Sequence, residues 1–177
     1  MKSLAFLLAL TVAATVPAVG ADTPFEGATR TSLLRSLDDA TGKMLRLAEA
    51  IPEDKYGWRP MEGVSSVREV LVHVAATNYG LAERLGTKPP AGVDRRKLGE
   101  VMQSKAEALA VLRSSVAHIR GVLETIPAAE LTPEVTVFGA KAPRLRVALL
   151  PVDHAHEHLG QLIAYARMNR IVPPWSE

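Results

Sequence analysis

The sequence predicts an all-α protein, a four-helix bundle preceded by a signal peptide. Four segments place their apolar residues three and four positions apart, which is the period of an amphipathic helix. The connections between these segments are short or moderate, and no segment alternates apolar and polar residues in the manner of a half-exposed strand. Helices of this kind bury their apolar stripes against one another, so we expect a bundle.

The pattern of charged, apolar and small residues in residues 1–21 predicts a secretory signal peptide. Lys2 is the only charged residue before Asp22, an apolar run covers residues 4–16, and the small residues of "PAVGAD" suit cleavage. The run is shorter than the about 20 apolar residues that span a bilayer, which disfavours a membrane anchor. We therefore expect a periplasmic or secreted protein that has no stable membrane insertion after cleavage, with residues 22–177 as its single domain.

The composition excludes several classes of function. The sequence contains no cysteine, so it offers no thiolate metal ligand, no cysteine nucleophile and no lipid-modified N-terminal cysteine. The formal net charge is only +2, and the basic residues are spread along the chain. Because no basic cluster is interleaved with aromatic residues, nucleic-acid binding is not predicted.

The first two helices are predicted from their apolar stripes and their ends. The first covers residues 28–51, because Pro52 disfavours helix at the residue before it. A loop rich in glycine and proline follows. The second helix covers residues 66–86 and begins with a capping box, in which Ser66 and Glu69 satisfy free backbone N–H groups.

The third and fourth helices are predicted over residues 98–126 and 144–170. Between them, "TPEVTVFGAKAP" indicates no more than one extended segment or a loose turn. The last helix contains Pro151, which removes a backbone hydrogen bond. We expect the helix either to bend at this proline or to begin near it.

Three of the five histidines fall within "DHAHEH" of the last predicted helix. His154 and His158 are four residues apart, so both rings can reach one ion from the same face. His156 points to the opposite side and is not expected to join them. His73, in the middle of the second helix, is the leading candidate for a third ligand, whereas His118 is expected to be exposed.

Three interpretations of this group remain open from the residues alone. Three neutral imidazoles would leave coordination positions for water or substrate, which is typical of catalytic zinc sites, and imidazole also suits nickel, iron and copper. The alternative is a polar cluster that is hydrogen-bonded internally. A pH-sensing histidine cluster is a third and weaker interpretation.

Two segments resemble the DinB-like superfamily of metal-binding four-helix bundles, and together with the helix order the resemblance covers the chain after the signal peptide. They are "IPEDKYGWRPMEGVSSVREVLVHVAATNY" and "DHAHEHLGQLIAYARMNRIVPPWS". The shared residues are Tyr56, Trp58, Arg59, Pro60, Ser66 and His73 in the first segment, and His154, His158, Gly160, Gln161, Tyr165, Arg167, Pro173 and Pro174 in the second.

The resemblance implies a divalent ion, most often zinc or nickel, held by His73, His154 and His158. The family activities that it suggests are thiol-cofactor transferases and related isomerases, which use thiols of the cytosol. An exported protein would meet little reduced thiol, so we do not transfer that reaction to this chain. The last predicted helix also departs from the family pattern, because it lacks a Ser or Thr at its N-cap.

Two functions follow from such a site. The first is a metal-dependent hydrolase or transferase with an unknown small-molecule substrate. Gln161 and Tyr165 follow His158 on the same side of the helix, where they either orient a ligand or a bound water or serve only as helix surface and core-edge packing, respectively. The second is a non-catalytic exported stress-response or binding module, in which the metal ties two helices together. Family members often pair through helix surfaces, so a homodimer is possible, although no face of this chain is singled out.

Overall fold

Four long helices form the fold of residues 22–176, the part of the chain that the computed structural model describes. The predicted signal peptide, residues 1–21, lies outside the described residues. In chain order the elements are α1 (Pro24–Ala50), α2 (Val67–Arg84), the short α3 (Leu98–Val101), α4 (Lys105–Thr125), β1 (Glu134–Val137), β2 (Ala140–Pro143) and α5 (Leu145–Met168). The predicted all-α, four-helix class is confirmed.

Each long helix packs against two others. α1 contacts α4 and α5, and α2 contacts the same two helices, so α1 and α2 lie across the bundle from each other. The apolar stripes meet in a core whose largest fully buried side chains include Leu37, Met44, Leu71, Leu112 and Leu162. This arrangement makes α2 and α5 neighbours along the bundle, although they are far apart in sequence.

Capping boxes begin three of the four long helices. At α2 the Glu69 carboxylate accepts the backbone N–H of Ser66 at 2.7 Å, and the Ser66 hydroxyl accepts the backbone N–H of Glu69 at 3.3 Å. Thr23 with Glu26 and Ser104 with Glu107 form the same motif at α1 and α4. Since the first N–H groups of a helix have no partner within it, these side chains fix where each helix begins.

The prediction of the third helix was wrong at its N-terminal end. A continuous helix from residue 98 was expected, but α3 ends at Val101, and Ser104 adopts an extended conformation before α4 begins at Lys105. The Ser104–Glu107 capping box takes the N–H groups that a continuous helix would have bonded to its preceding turn. Met102 lies in the break and is fully buried.

The segment before α5 is more ordered than the sequence predicted. β1 and β2 pair as an antiparallel hairpin, with Val137 opposite Ala140. Phe138 and Gly139 form the two-residue turn, and both have positive φ angles of 49° and 83°. Positive φ at both turn residues suits the right-handed twist of the strands, but it strains a bulky residue such as phenylalanine.

The last helix runs without interruption through its proline. α5 begins at Leu145, six residues before Pro151, and Arg144 provides no side-chain cap. Pro151 is buried against the bundle, so packing keeps the helix continuous despite the missing N–H group. Within residues 22–176, no helix combines the length and the apolar character that crossing a bilayer requires.

Replacing Ser66 with alanine should lower the free energy of unfolding by about 1 kcal/mol, because the cap of α2 loses its acceptor for the Glu69 N–H group. Urea denaturation followed by circular dichroism measures the change. Ser65→Ala is the matched control, since Ser65 is exposed and adjoins the cap without accepting this bond. Equal stability of the two variants would contradict the assigned role of the cap.

Candidate metal centre

Three histidine rings meet where α2 packs against α5. His73 lies in the middle of α2, and His154 and His158 lie one turn apart on α5. The Nε2 atom of His154 is 2.9 Å from Nε2 of His73 and 3.1 Å from Nε2 of His158. The three rings therefore direct the same kind of nitrogen at a common point, across a sequence separation of about 80 residues.

Hydrogen bonds among the three rings cannot satisfy all three Nε2 atoms. A ring nitrogen of a neutral imidazole has one in-plane position, which holds either a proton or a lone pair. Nε2 of His154 touches two other nitrogens, so it can form a good hydrogen bond to only one of them. In addition, Nδ1 of His154 is buried and has no hydrogen-bond partner among the described residues.

A chain of hydrogen bonds orients the His158 ring. It starts at the backbone carbonyl of Ser65, which can only accept, so the Tyr165 hydroxyl donates its proton there at 3.1 Å. The Tyr165 oxygen then accepts from the Gln161 side-chain NH₂ at 2.9 Å. That contact turns Gln161 Oε1 toward His158, where it accepts from Nδ1–H at 2.8 Å. Nε2 of His158 is left with its lone pair pointing at the other two rings.

The loop between α1 and α2 supports this chain of hydrogen bonds. The Trp58 ring meets the Tyr165 ring edge-on, with 5.4 Å between their centroids. The backbone carbonyls of Trp58 and Tyr56 accept the first N–H groups of α2, from Val67 at 3.1 Å and Arg68 at 2.9 Å. The loop is therefore fixed to the start of α2, and it holds the Ser65 carbonyl in reach of α5.

The surroundings keep two of the rings neutral near pH 7. Burial, and then the neighbouring His158 and His73 rings, lower the pKa of His154 to about 4. Partial burial, and then the His158 ring, lower the pKa of His73, while Glu157 opposes this shift. A metal ion binds the neutral form of imidazole, so these shifts leave the ligand atoms available.

The geometry of the group fits a divalent cation. Two nitrogens bound to one tetrahedral zinc at 2.0–2.1 Å lie about 3.3 Å apart, so the spacings from His154 to His73 and to His158 need to open by only a few tenths of an ångström. The ligand atoms of the three histidines, including those of His73 and His158, all lie within 4.8 Å of one another. Within the described residues, no Asp or Glu oxygen joins them at that distance. Three protein ligands leave coordination positions open, and His73 is exposed to solvent.

The other two histidines lie outside the group. His156 is exposed, and its Nδ1 donates to the Val152 carbonyl at 2.9 Å. The expectation that His118 is exposed was wrong: its ring is partly buried beside Tyr79, and its Nε2 atom is buried without a partner in the described part of the chain. Polar neighbours in sequence hid the fact that the α2–α4 contact covers this ring.

The sequence suggested Gln161 and Tyr165 as orienting residues. Gln161 accepts from His158, and Tyr165 accepts from Gln161. Sequence reasoning missed the Ser65 carbonyl, because a backbone acceptor leaves no signature in the choice of residue. It also missed that Trp58 packs on Tyr165. Their roles toward a metal ion remain predictions, and the contacts show how the side chains are held.

The fold and the site together define a class of protein: a four-helix bundle with a three-histidine group between its second and last long helices. The family model of the DinB superfamily matches residues 36–162, and the chain belongs to that superfamily. Binding of a divalent metal is general in the superfamily. No curated protein matches the chain in sequence.

A solved structure shares the fold. The crystal structure of YjoA, a DinB-like protein from Bacillus subtilis, aligns with a TM-score of 0.62 and 20% sequence identity. The alignment covers 78% of this chain and 92% of that one. At this identity the likeness shows the fold of the bundle.

The direction of the hydrogen bonds predicts the tautomer of His158. In the metal-free protein, nitrogen-15 NMR of the neutral ring should show the proton on Nδ1, and Gln161→Leu should shift the ring toward a mixture of tautomers, because the acceptor is lost. His156 is the internal reference, since its Nδ1 also donates to a carbonyl that the variant leaves intact. A proton on Nε2 of His158 in the parent protein would contradict the direction derived from the Ser65 carbonyl.

Proposed function

We propose that this DinB protein binds one divalent ion, zinc or nickel, through His73, His154 and His158, and uses it as a metal-dependent hydrolase or transferase. The observation that carries the proposal is the convergence of three Nε2 atoms at 2.9 and 3.1 Å, at which the rings cannot satisfy one another by hydrogen bonds. A cation at the shared point accepts all three lone pairs at once.

Residues of the chain prepare the site before any ligand arrives. The hydrogen bond from His158 Nδ1 to Gln161 holds the Nε2 lone pair in place, and the Tyr165 hydroxyl holds Gln161. Such outer contacts raise ligand basicity and restrict the orientation of the ring. When bound, a divalent ion polarises a coordinated substrate group or lowers the pKa of a coordinated water toward about 7.

An open coordination position favours an enzyme over a purely structural metal. A structural site is normally closed by a fourth protein ligand, and the described residues offer no such ligand atom close to the three histidines. Neither acidic residue beside the histidines on α5 belongs to the ligand group. Asp153 forms an ion pair with Arg146 at 2.7 Å, and Glu157 is exposed to solvent.

The second candidate function is a non-catalytic exported module with a structural metal. The observation that favours it is the origin of the ligands, because one comes from α2 and two come from α5, so an ion would tie the two helices together. Binding to the folded state alone adds stability in proportion to the logarithm of metal concentration over the dissociation constant. Both candidates share the ion and differ in whether a substrate reaches it.

Metal content is the first test. The full chain, expressed without a polyhistidine tag, should purify with about one equivalent of zinc or nickel by elemental mass spectrometry. His73→Ala should lose most of that metal, because two ligands from one helix bind far more weakly than three from two helices. His156→Ala is the matched control, as His156 is an exposed histidine of the same helix.

A parent protein that remains metal-free after incubation with zinc and with nickel would contradict the proposal. Equal metal content in His73→Ala and His156→Ala would contradict the ligand assignment, because the site would then not include α2. Circular dichroism of each variant verifies that the bundle has folded before its metal content is compared.

We further propose that the protein is exported, to the periplasm or the medium, after removal of residues 1–21. The support is the apolar run and small-residue cleavage region at the start of the sequence. The protein recovered from the periplasm of an expressing bacterium should begin at or next to Asp22 by N-terminal sequencing. An intact Met1 terminus on the exported protein, or retention of all the protein in the cytosol, would contradict this proposal. Pairing into a homodimer is a further proposal, which the mass of the native protein in solution tests.

A further inference from the structure

A pocket of about 390 Å³ adjoins two of the three histidines. His73 and His154 line one end of it, and Leu81 of α2 and Leu150 of α5 line its walls. Phe138, from the turn of the hairpin, lines the pocket as well, with 82% of its surface exposed. The positive φ of this bulky residue is a strained conformation.

An arginine lies over the backbone of α2 in the same pocket. A β-carbon at Gly80 would lie 3.5 Å from Nη1 of Arg95, so the guanidinium group rests directly on this turn of the helix. Nε of Arg95 donates to Glu83 Oε2 at 2.9 Å, which fixes the plane of the group. No hydrogen bond from its two Nη groups occurs among the described residues, so that edge is available to a ligand.

The charge lining the pocket is positive. Arg84 and Arg95 both contribute to its surface, whereas Glu83, the partner of Arg95, does not. Arg84 has no ion-pair partner within residues 22–176. A planar guanidinium with a free edge matches the two oxygens of a carboxylate, which is the reason for arginine at sites that bind carboxylates.

The spacing along α2 limits the size of a ligand. Gly80 follows His73 by seven residues, which is about two turns, so the two positions lie on one face about 10 Å apart. The coordination bond at one end and the salt bridge at the other occupy part of that length. A body of about three to five carbon atoms fills the remainder, and Leu81, Leu150 and Phe138 give it apolar walls.

We propose that Arg95 is a specificity-determining residue that binds the carboxylate of a small substrate, whose other end reaches the three-histidine site. The substrate class is thus a short amphipathic monocarboxylate with a metal-binding group at its far end. This inference rests on the proposed metal function, and it adds the chemical class of the substrate. Arg84 strengthens the positive potential at the same end of the pocket.

Two matched probes test the proposal by calorimetric titration of the metal-loaded protein. Glutarate monohydroxamate carries a metal-binding hydroxamate at one end and a carboxylate at the other, and its terminal carboxamide analogue has the same shape without the charge. The parent protein should bind the carboxylate probe about tenfold more tightly, as expected for a charge-assisted hydrogen bond that is partly exposed to solvent. Raising the salt concentration should reduce this preference.

Variants of the two adjacent arginines identify the group responsible. Arg95→Gln should remove the preference, because it weakens the carboxylate probe far more than the carboxamide probe, and Arg95→Lys should retain part of the preference, because the charge remains but the planar fork is lost. Arg96→Gln is the matched control: Arg96 is exposed, pairs with Asp94 at 3.2 Å and does not line this pocket. It should keep the full tenfold difference.

The outcomes separate the two levels of the proposal. Equal binding of both probes by the parent protein, with metal bound, would overturn the role of Arg95 and leave the metal function intact. Binding of neither probe by metal-loaded protein would show that no coordination position is open, and would overturn the enzyme function together with this inference. An Arg95→Gln variant that loses both probes equally would make Arg95 structural, which also contradicts the proposal.

Discussion

The packing of α2 against α5 is the constraint on which the candidate site depends. It brings Nε2 of His73 to 2.9 Å from Nε2 of His154 on the neighbouring helix, although their sequence separation is 81. Pocket and site share the same two walls, since His73 and Leu81 come from α2 and His154 and Leu150 come from α5. A shift of one helix along the other would therefore disturb the ligand group and the pocket together.

The tyrosine on α5 links this packing to the chemistry of the site. Tyr165 is 95% buried, and its hydroxyl spans from the Ser65 carbonyl at the start of α2 to Gln161 on α5. A buried hydroxyl without partners would cost free energy, so the correct approach of the two helices is the one in which both contacts form. The same contacts select the tautomer of His158, and the fold thereby fixes the direction of a lone pair.

Periodicity was enough to predict the bundle, and spacing was enough to pair His154 with His158, because helical stripes and an i, i+4 pair are local features of the sequence. His73 was added as the leading candidate on the second helix, and the family resemblance supported the full set. The break at residues 102–104 was missed, since the competing Ser104–Glu107 capping box lay inside a continuous apolar pattern. The hairpin was also missed, because its turn uses Phe138 and Gly139 rather than the Asn-Gly pair that favours such turns. The contact of Arg95 with Gly80 depends on how the loop after α2 packs back on that helix. Residue spacing carries no information about such packing.

One candidate ligand comes from α2 and two come from α5, and this distribution connects the two candidate functions. His154 and His158 are held at a fixed spacing by one helix, whereas His73 moves with α2, so an ion would set the distance between the helices. The required opening from 2.9 Å to about 3.3 Å is small compared with side-chain freedom, and the core need not be repacked to accept it. A single ion at this place would add stability to the α2–α5 contact and still present an open position to the pocket. The two proposed roles, structural and catalytic, thus require the same geometry, and access of a substrate to that position is what separates them.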